Sequence, residues 1–221
     1  MPPKPRAQKK PTRPPQRGGS NRRLLIGIAA GGLVVLVAVA IGIAALGGGG
    51  GSADAAAALD TAGCSLVEKP ALRGVHSITK PTGTSKLWNT NPPTSGPHYA
   101  IPAIWGAYTQ PVNMAQLVHN LEHGGIYILY GPGVPDSTLA QLRSFYDDHT
   151  RATILAPLPS LGSRIALGAW TTKAADQPAD GTAHLAKCTT FDQTAFAAFF
   201  DEFQFRGPER FPPDTLLPGR N

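Results

Sequence analysis

What the chain does not contain excludes several common chemistries. There is no Walker loop and no GxGxxG after an expected strand, so nucleotide binding has no support. Ser95, His119 and Glu122 can be set out as nucleophile, base and acid. However, Ser95 lacks the G-x-S-x-G elbow and strand-to-helix turn that such a nucleophile uses. Cysteine is nearly missing, with Cys64 and Cys188 the only two. The first twenty-three positions have no acidic residue at all, but hold eight Lys and Arg and six prolines. Such a stretch cannot bury a core and is expected to be disordered. Setting its eight charges aside leaves twelve Lys and Arg against fourteen Asp and Glu, so the net charge of +6 belongs to the tail. The basic residues do not interleave with aromatics on a folded surface, and no nucleic-acid partner is expected.

Charge is also absent from Leu24 to Leu46. As a helix rising ~1.5 Å per residue this run reaches roughly 35 Å, enough to cross a bilayer. The expected arrangement is a single-pass plasma-membrane protein. Residues 1–23 form a cytoplasmic tail, 24–46 a transmembrane helix in lipid, and the rest lies outside by the positive-inside rule. Cleavage as a signal peptide, twin-arginine export included, is the rival reading; the run is longer than the ~7–15 residues of a signal core. Gly27 and Gly31 have GxxxG spacing, a weak cue for helix pairing. Residues 47–60 read as a flexible linker, and 61–221 as one extracytoplasmic domain long enough for a single core. On the oxidising side of a membrane, Cys64 and Cys188 read as a disulfide near the domain's two ends; a free pair or a thiolate metal site is the alternative.

The expected fold class is α+β, with a Pro/Gly-rich N-terminal half, about three helices and a short antiparallel sheet. Lys80 to Pro97 should be irregular coil that aims side chains from a scaffold. Asn113 and Gln116 resemble a capping box and Gly124 a C′ residue, which predicts a helix over Met114 to His123. Its Met114, Leu117, Val118 and Leu121 face a core, while His119, Glu122 and His123 fall on the opposite side. Ile126 to Tyr130 reads as a strand. A helix capped by Asp136 or Ser137 follows, through about Asp148, and then strands over Ala152 to Ala156 and Arg164 to Trp170. A polar loop ends near Cys188. Asp192 caps a last helix with Phe196, Phe199, Phe200 and Phe203 at i, i+3, i+4, i+7, stopped by Gly207-Pro208.

The candidate site lies between Asn91 and Gly131. His119 and His123 sit one helical turn apart and can share one cation, and His98 lies just upstream. His98, His119 and His123, with His76 or Glu122, make an N/O ligand set suited to zinc or copper. Met114 is a possible soft ligand but falls on the apolar side. The same histidines could instead be structural hydrogen-bonders in a non-catalytic domain that binds another envelope protein. His119-Asn-Leu-Glu122-His123 also fits H-x-x-E-H, in which both histidines hold zinc and Glu122 activates water, with Glu202 as candidate third ligand. Against hydrolysis, Gly124-Gly125 ends the helix at once, so whether the chain is an enzyme stays open. Tyr99, Trp105, Tyr108 and Tyr130 either line a cleft around the histidines or fill a core. His149 and His184 fall in expected loops and should be exposed.

Asn91-Pro-Pro-Thr-Ser-Gly-Pro-His98 and Val118-His-Asn-Leu-Glu-His-Gly-Gly125 resemble the bacterial domain-of-unknown-function family 3105, as do Gly74-Val-His76 and Arg206-Gly-Pro-Glu209. The resemblance covers most of Cys64 to Glu209. It implies a membrane-anchored extracytoplasmic domain with no established activity, lowers the peptidase reading, and assigns no ligand.

Overall fold

Ile126-Tyr-Ile-Leu-Tyr130 offers apolar side chains on both sides of a pleat, so a strand built from it has to be covered on both faces. The computed structural model describes residues 51–76, 87–175 and 180–221. In it this run is β3 (Ile126–Tyr130), interior to a six-stranded sheet. The helices are α1 (Gly51–Thr61), α2 (Met114–Glu122), α3 (Asp136–Asp148) and α4 (Gln193–Phe203). The other strands are β1 (Ser65–Pro70), β2 (Gly106–Ala107), β4 (Thr153–Pro157), β5 (Ile165–Thr171) and β6 (Thr182–Cys188), in the order β1-β6-β5-β3-β4-β2.

Alternation along the strands sorts the core into two layers. Ile126, Ile128 and Tyr130, with Leu155, Ile165 and Leu167, meet Leu59 of α1, Leu142 and Phe145 of α3, and the α4 phenylalanines. Tyr127 and Leu129, with Ile154 and Trp170, meet Leu117, Val118 and Leu121 of α2, closed off by Trp105 and Leu216. Each such side chain contributes about 1.5–3 kcal/mol by leaving water. The second layer holds α2 against the sheet and thereby fixes the histidines it carries.

The α+β class holds, but the sheet is mixed and not antiparallel. β3 and β4 run parallel, as do β4 and β2, while β1, β6, β5 and β3 pair antiparallel. The reason lies between β3 and β4: α3 supplies the crossover that parallel neighbours require and a hairpin cannot. Four helices are present among the described residues, one more than expected. The alanine run read as part of a flexible linker is α1, whose Ala55 and Leu59 are buried and which packs against α4. Alanine has the highest helix propensity, and a face to bury converts that preference into structure. The loop expected before Cys188 is β6, whose Thr-Ala-His-Leu-Ala-Lys-Cys has little β propensity but is paired on both sides, with β1 and β5. Cys64 and Cys188 form a disulfide that joins residues 124 apart where β1 begins and β6 ends. The run 24–46 lies outside the described residues; among those described, no helix is long and apolar enough to cross a membrane.

Asn120 locks the loop before β2 onto α2. Its Oδ1 accepts from Ala103 N at 2.9 Å and its Nδ2 donates to Ala103 O at 2.8 Å, with the side chain buried. Asn120→Ala would leave that N–H and C=O buried and unpaired. We expect it to cost about 1–3 kcal/mol in urea denaturation, because each lost partner leaves a desolvated polar group.

Candidate metal centre

The predicted cap of α2 is present, since Asn113 Oδ1 accepts from Ala115 N at 2.9 Å. At the other end His123 is the C-cap and Gly124 has φ +82, a conformation that favours glycine. The far side of the helix, expected to face away from the core, is buried all the same. His119, Asn120 and Glu122 are 4%, 1% and 6% exposed. Chain from both directions covers them. On one side Tyr99 N bonds to Ala115 O, His98 N to Val75 O, and Leu72 N to Ser95 Oγ. On the other, Phe205 N bonds to Gly124 O and Glu209 N to Glu122 O. Glycines permit the approach: a Cβ at Gly74 would fall 2.2 Å from Glu122 Oε1, and one at Gly207 2.3 Å from Glu122 O.

Four of the predicted residues converge. One ligand atom from each of His76, His98, His119 and Glu122 lies within 4.8 Å of the others. Glu122 Oε2 is 2.9 Å from His98 Nε2 and accepts from His76 Nε2–H at 3.2 Å. The rings crowd together, His119 standing 4.7 Å from His76 and 4.8 Å from His98 between centroids. The fifth predicted ligand, His123, falls in a second group with His119 and Glu209. His123 Nε2 is 3.0 Å from His119 Nε2 and 3.4 Å from Glu209 Oε2.

Backbone carbonyls fix two of the tautomers. His98 Nδ1–H donates to Gly96 O and His119 Nδ1–H to Tyr99 O, both at 2.7 Å. Each ring therefore turns a bare Nε2 lone pair into the cluster, as metal-ligating histidines do when a carbonyl holds the other nitrogen. At His119 that lone pair accepts from His123 Nε2–H. At His98 it has no hydrogen-bond partner among the described residues, although the atom is fully buried. Glu122 Oε2 stands 2.9 Å from it, so a His98 carrying both protons would face that carboxylate.

The electrostatics keep His119 and His123 ready to ligate. Burial, followed by the neighbouring histidines, holds His119 down at about 4 against a partly opposing bond to the Tyr99 carbonyl. Burial and then His119 do the same to His123, also to about 4. Burial pushes Glu122 up, but His98 and His76 outweigh it and the carboxyl sits below its ordinary value. For the metal-free chain the consequence is an acid-sensitive fold. Histidines depressed on folding take up protons more readily when unfolded, so their contribution is complete above about pH 6.5 and is lost as pH falls toward 4. Glu122 acts in the same direction. Thermal denaturation of the metal-free chain should show the melting temperature falling across that window, and less steeply in His119→Gln.

The remaining predicted residues lie elsewhere. Glu202, the candidate third zinc ligand, pairs with Arg206 at 3.1 Å and joins neither histidine group. Met114 packs against the α2 layer. Ser95 is occupied as acceptor for Leu72 N. Trp105 and Tyr130 fill opposite core layers instead of lining a cleft together. His184, expected in an exposed loop, is buried on β6, with Nδ1 donating to Glu68 Oε1 and Nε2 accepting from Thr171 Oγ1, each at 2.8 Å. His149 caps the end of α3 and stacks on Phe145, half-buried. Glu209 is the ligand candidate that residue spacing missed. It lies 86 positions beyond His123 in the sequence, and only the closure of Phe205 to Glu209 over the end of α2 brings it in.

Residues 80–214, more than half of the chain, match the family described as "Protein of unknown function (DUF3105)". No curated protein and no solved structure matches.

Proposed function

We propose that this chain, which belongs to the DUF3105 family, binds one transition-metal ion through His76, His98, His119 and Glu122. The observation that carries the reading is the fully buried Nε2 of His98, which has no hydrogen-bond partner among the described residues and lies 2.9 Å from the Glu122 carboxylate. The His98 lone pair and the negative charge of Glu122 lie side by side, a ligand atom from His76 and from His119 lies within 4.8 Å of both, and a cation is the partner that suits the set once His119 gives up its hydrogen bond from His123. Separations of 2.9 and 3.2 Å between ligand atoms are close to the ~3.3 Å edge of a tetrahedron with ~2.0–2.1 Å bonds. Three imidazoles and one carboxylate suit zinc or copper, being too rich in nitrogen for magnesium or calcium. Binding would displace the proton His76 shares with Glu122.

Hydrolysis through H-x-x-E-H is less well supported, because Glu122 stands among the ligands and not in front of an open coordination position as a base would. Held by the expected anchor at residues 24–46, the domain would present its site outside the plasma membrane, to an envelope protein that gives or takes the ion.

The test is elemental analysis of the full-length chain, purified without a histidine tag, loaded with zinc or copper and desalted, beside His98→Ala. One equivalent in the parent and less than a tenth in a still-folded variant supports the reading. No metal in the parent removes it, and favours the alternative of structural histidines in an interaction domain.

A further inference from the structure

Two candidate groups share one atom. His119 Nδ1–H is committed to Tyr99 O, so its Nε2 lone pair is the only one it can offer to a metal, and that nitrogen belongs both to the His76–His98–Glu122 group and to the His123–Glu209 group. One lone pair holds one ion at a time. The two groups also differ in surroundings. In the first, His98 and Glu122 are buried and the His76 side chain, 45% exposed, meets solvent; in the second, His123 and the buried His119 line a separate cleft of about 450 Å³ walled by Ile101, Pro102, Phe211 and Leu216. Glu209 is 42% exposed beside it, Ile101 is 64% exposed, and the Phe211 ring lies 4.5 Å from that of His123.

We infer that His119, His123 and Glu209 form a second, outer metal subsite, mutually exclusive with the inner one, through which the ion enters and leaves. This rests on the metal reading above and specifies how that site exchanges its ion. An incoming divalent ion meets His123 and Glu209 at the cleft, and takes up His119 Nε2 once the hydrogen bond from His123 is broken. It then passes inward by exchanging His123 and Glu209 for His98, Glu122 and His76, with His119 held throughout. No bond to carbon forms or breaks; His123 gives its Nε2 proton to solvent and takes one at Nδ1 as it ligates, and reverses that exchange when the ion has moved on, so the ring stays neutral. The partner of such a subsite is a donor or acceptor whose own metal ligands reach into an apolar-walled cleft.

The probes are zinc alone and a chromophoric chelator in excess, applied to the full-length chain. Glu209→Gln changes an exposed side chain and His123→Ala a buried one, so the first tests the proposal even if the second fails to fold. Both should slow loading and release by about tenfold or more, with one ion still bound per chain at saturating zinc. His76→Ala should do the reverse, lowering affinity without slowing capture. Rates unchanged in Glu209→Gln, with one ion still bound by the parent, would overturn the port and leave the inner site standing. Two ions per chain would overturn the exclusivity. A parent that binds none removes the inner site and the port together.

Discussion

His119→Ala lowers zinc or copper affinity by more than about 100-fold, beyond the 10–100-fold cost of losing a group that merely orients a ligand. The effect exceeds that of any other single ligand because His119 belongs to both groups. Its Nδ1 is tied to Tyr99 O and its ring lies against His76, His98 and His123, at the centre of the cluster. Competition against a chelator of known affinity at fixed pH reads this out, with circular dichroism confirming that the variant is folded. An affinity within tenfold of the parent contradicts the assignment. The size of the effect also separates ligand from structural hydrogen-bonder: a histidine that only braced the loop would lower the melting temperature and leave metal uptake alone.

Removing the disulfide has the largest expected effect on stability. Cys64 and Cys188 join residues 124 apart, and tying a loop of that length removes unfolded-chain entropy worth roughly 4–5 kcal/mol. The bond lies where it is needed. β1 is an edge strand that pairs with β6 alone and ends in a proline, and only Leu66 of its side chains packs against the core. Urea denaturation with and without reductant, or of Cys64→Ser/Cys188→Ser, should show a loss of about 3–5 kcal/mol. A loss below about 1 kcal/mol would mean that β1 and α1 hold the edge without it. The proposed metal ligands sit on α2 and the coil around it, in the other core layer, so the population that remains folded should bind metal with unchanged affinity.

Much of this was legible in the residues because it depended on local rules. Asn113 and Asp192 cap their helices through the side chains expected to do so, and β3 has the bounds its composition predicts. Phe196, Phe199, Phe200 and Phe203 form the buried stripe that their spacing requires. What could not be read depended on distant chain. α2 looks amphipathic, with histidines on its polar side, yet two coil segments close over that side and make the polar stripe the interior of a site. His184 looks like a loop residue because β6 takes its strand character from pairing with β1 and β5 and not from its own side chains. Glu202 was the better candidate by helix placement and Glu209 the correct neighbour by geometry, since the backbone of Phe205 to Glu209 is what bonds to the end of α2. Even the parallel pairing of β3 with β4 was implicit in the helix between them.

X-ray absorption at the metal edge, on the full-length chain loaded with one equivalent of zinc or copper, reads the ligand set itself. The expected first shell has about four N and O atoms with imidazole outer-shell scattering from three histidines, reduced to two in His76→Ala. A shell of oxygen alone, or imidazole scattering that His98→Ala and His119→Ala leave unchanged, would show that the ion sits elsewhere and contradict the account.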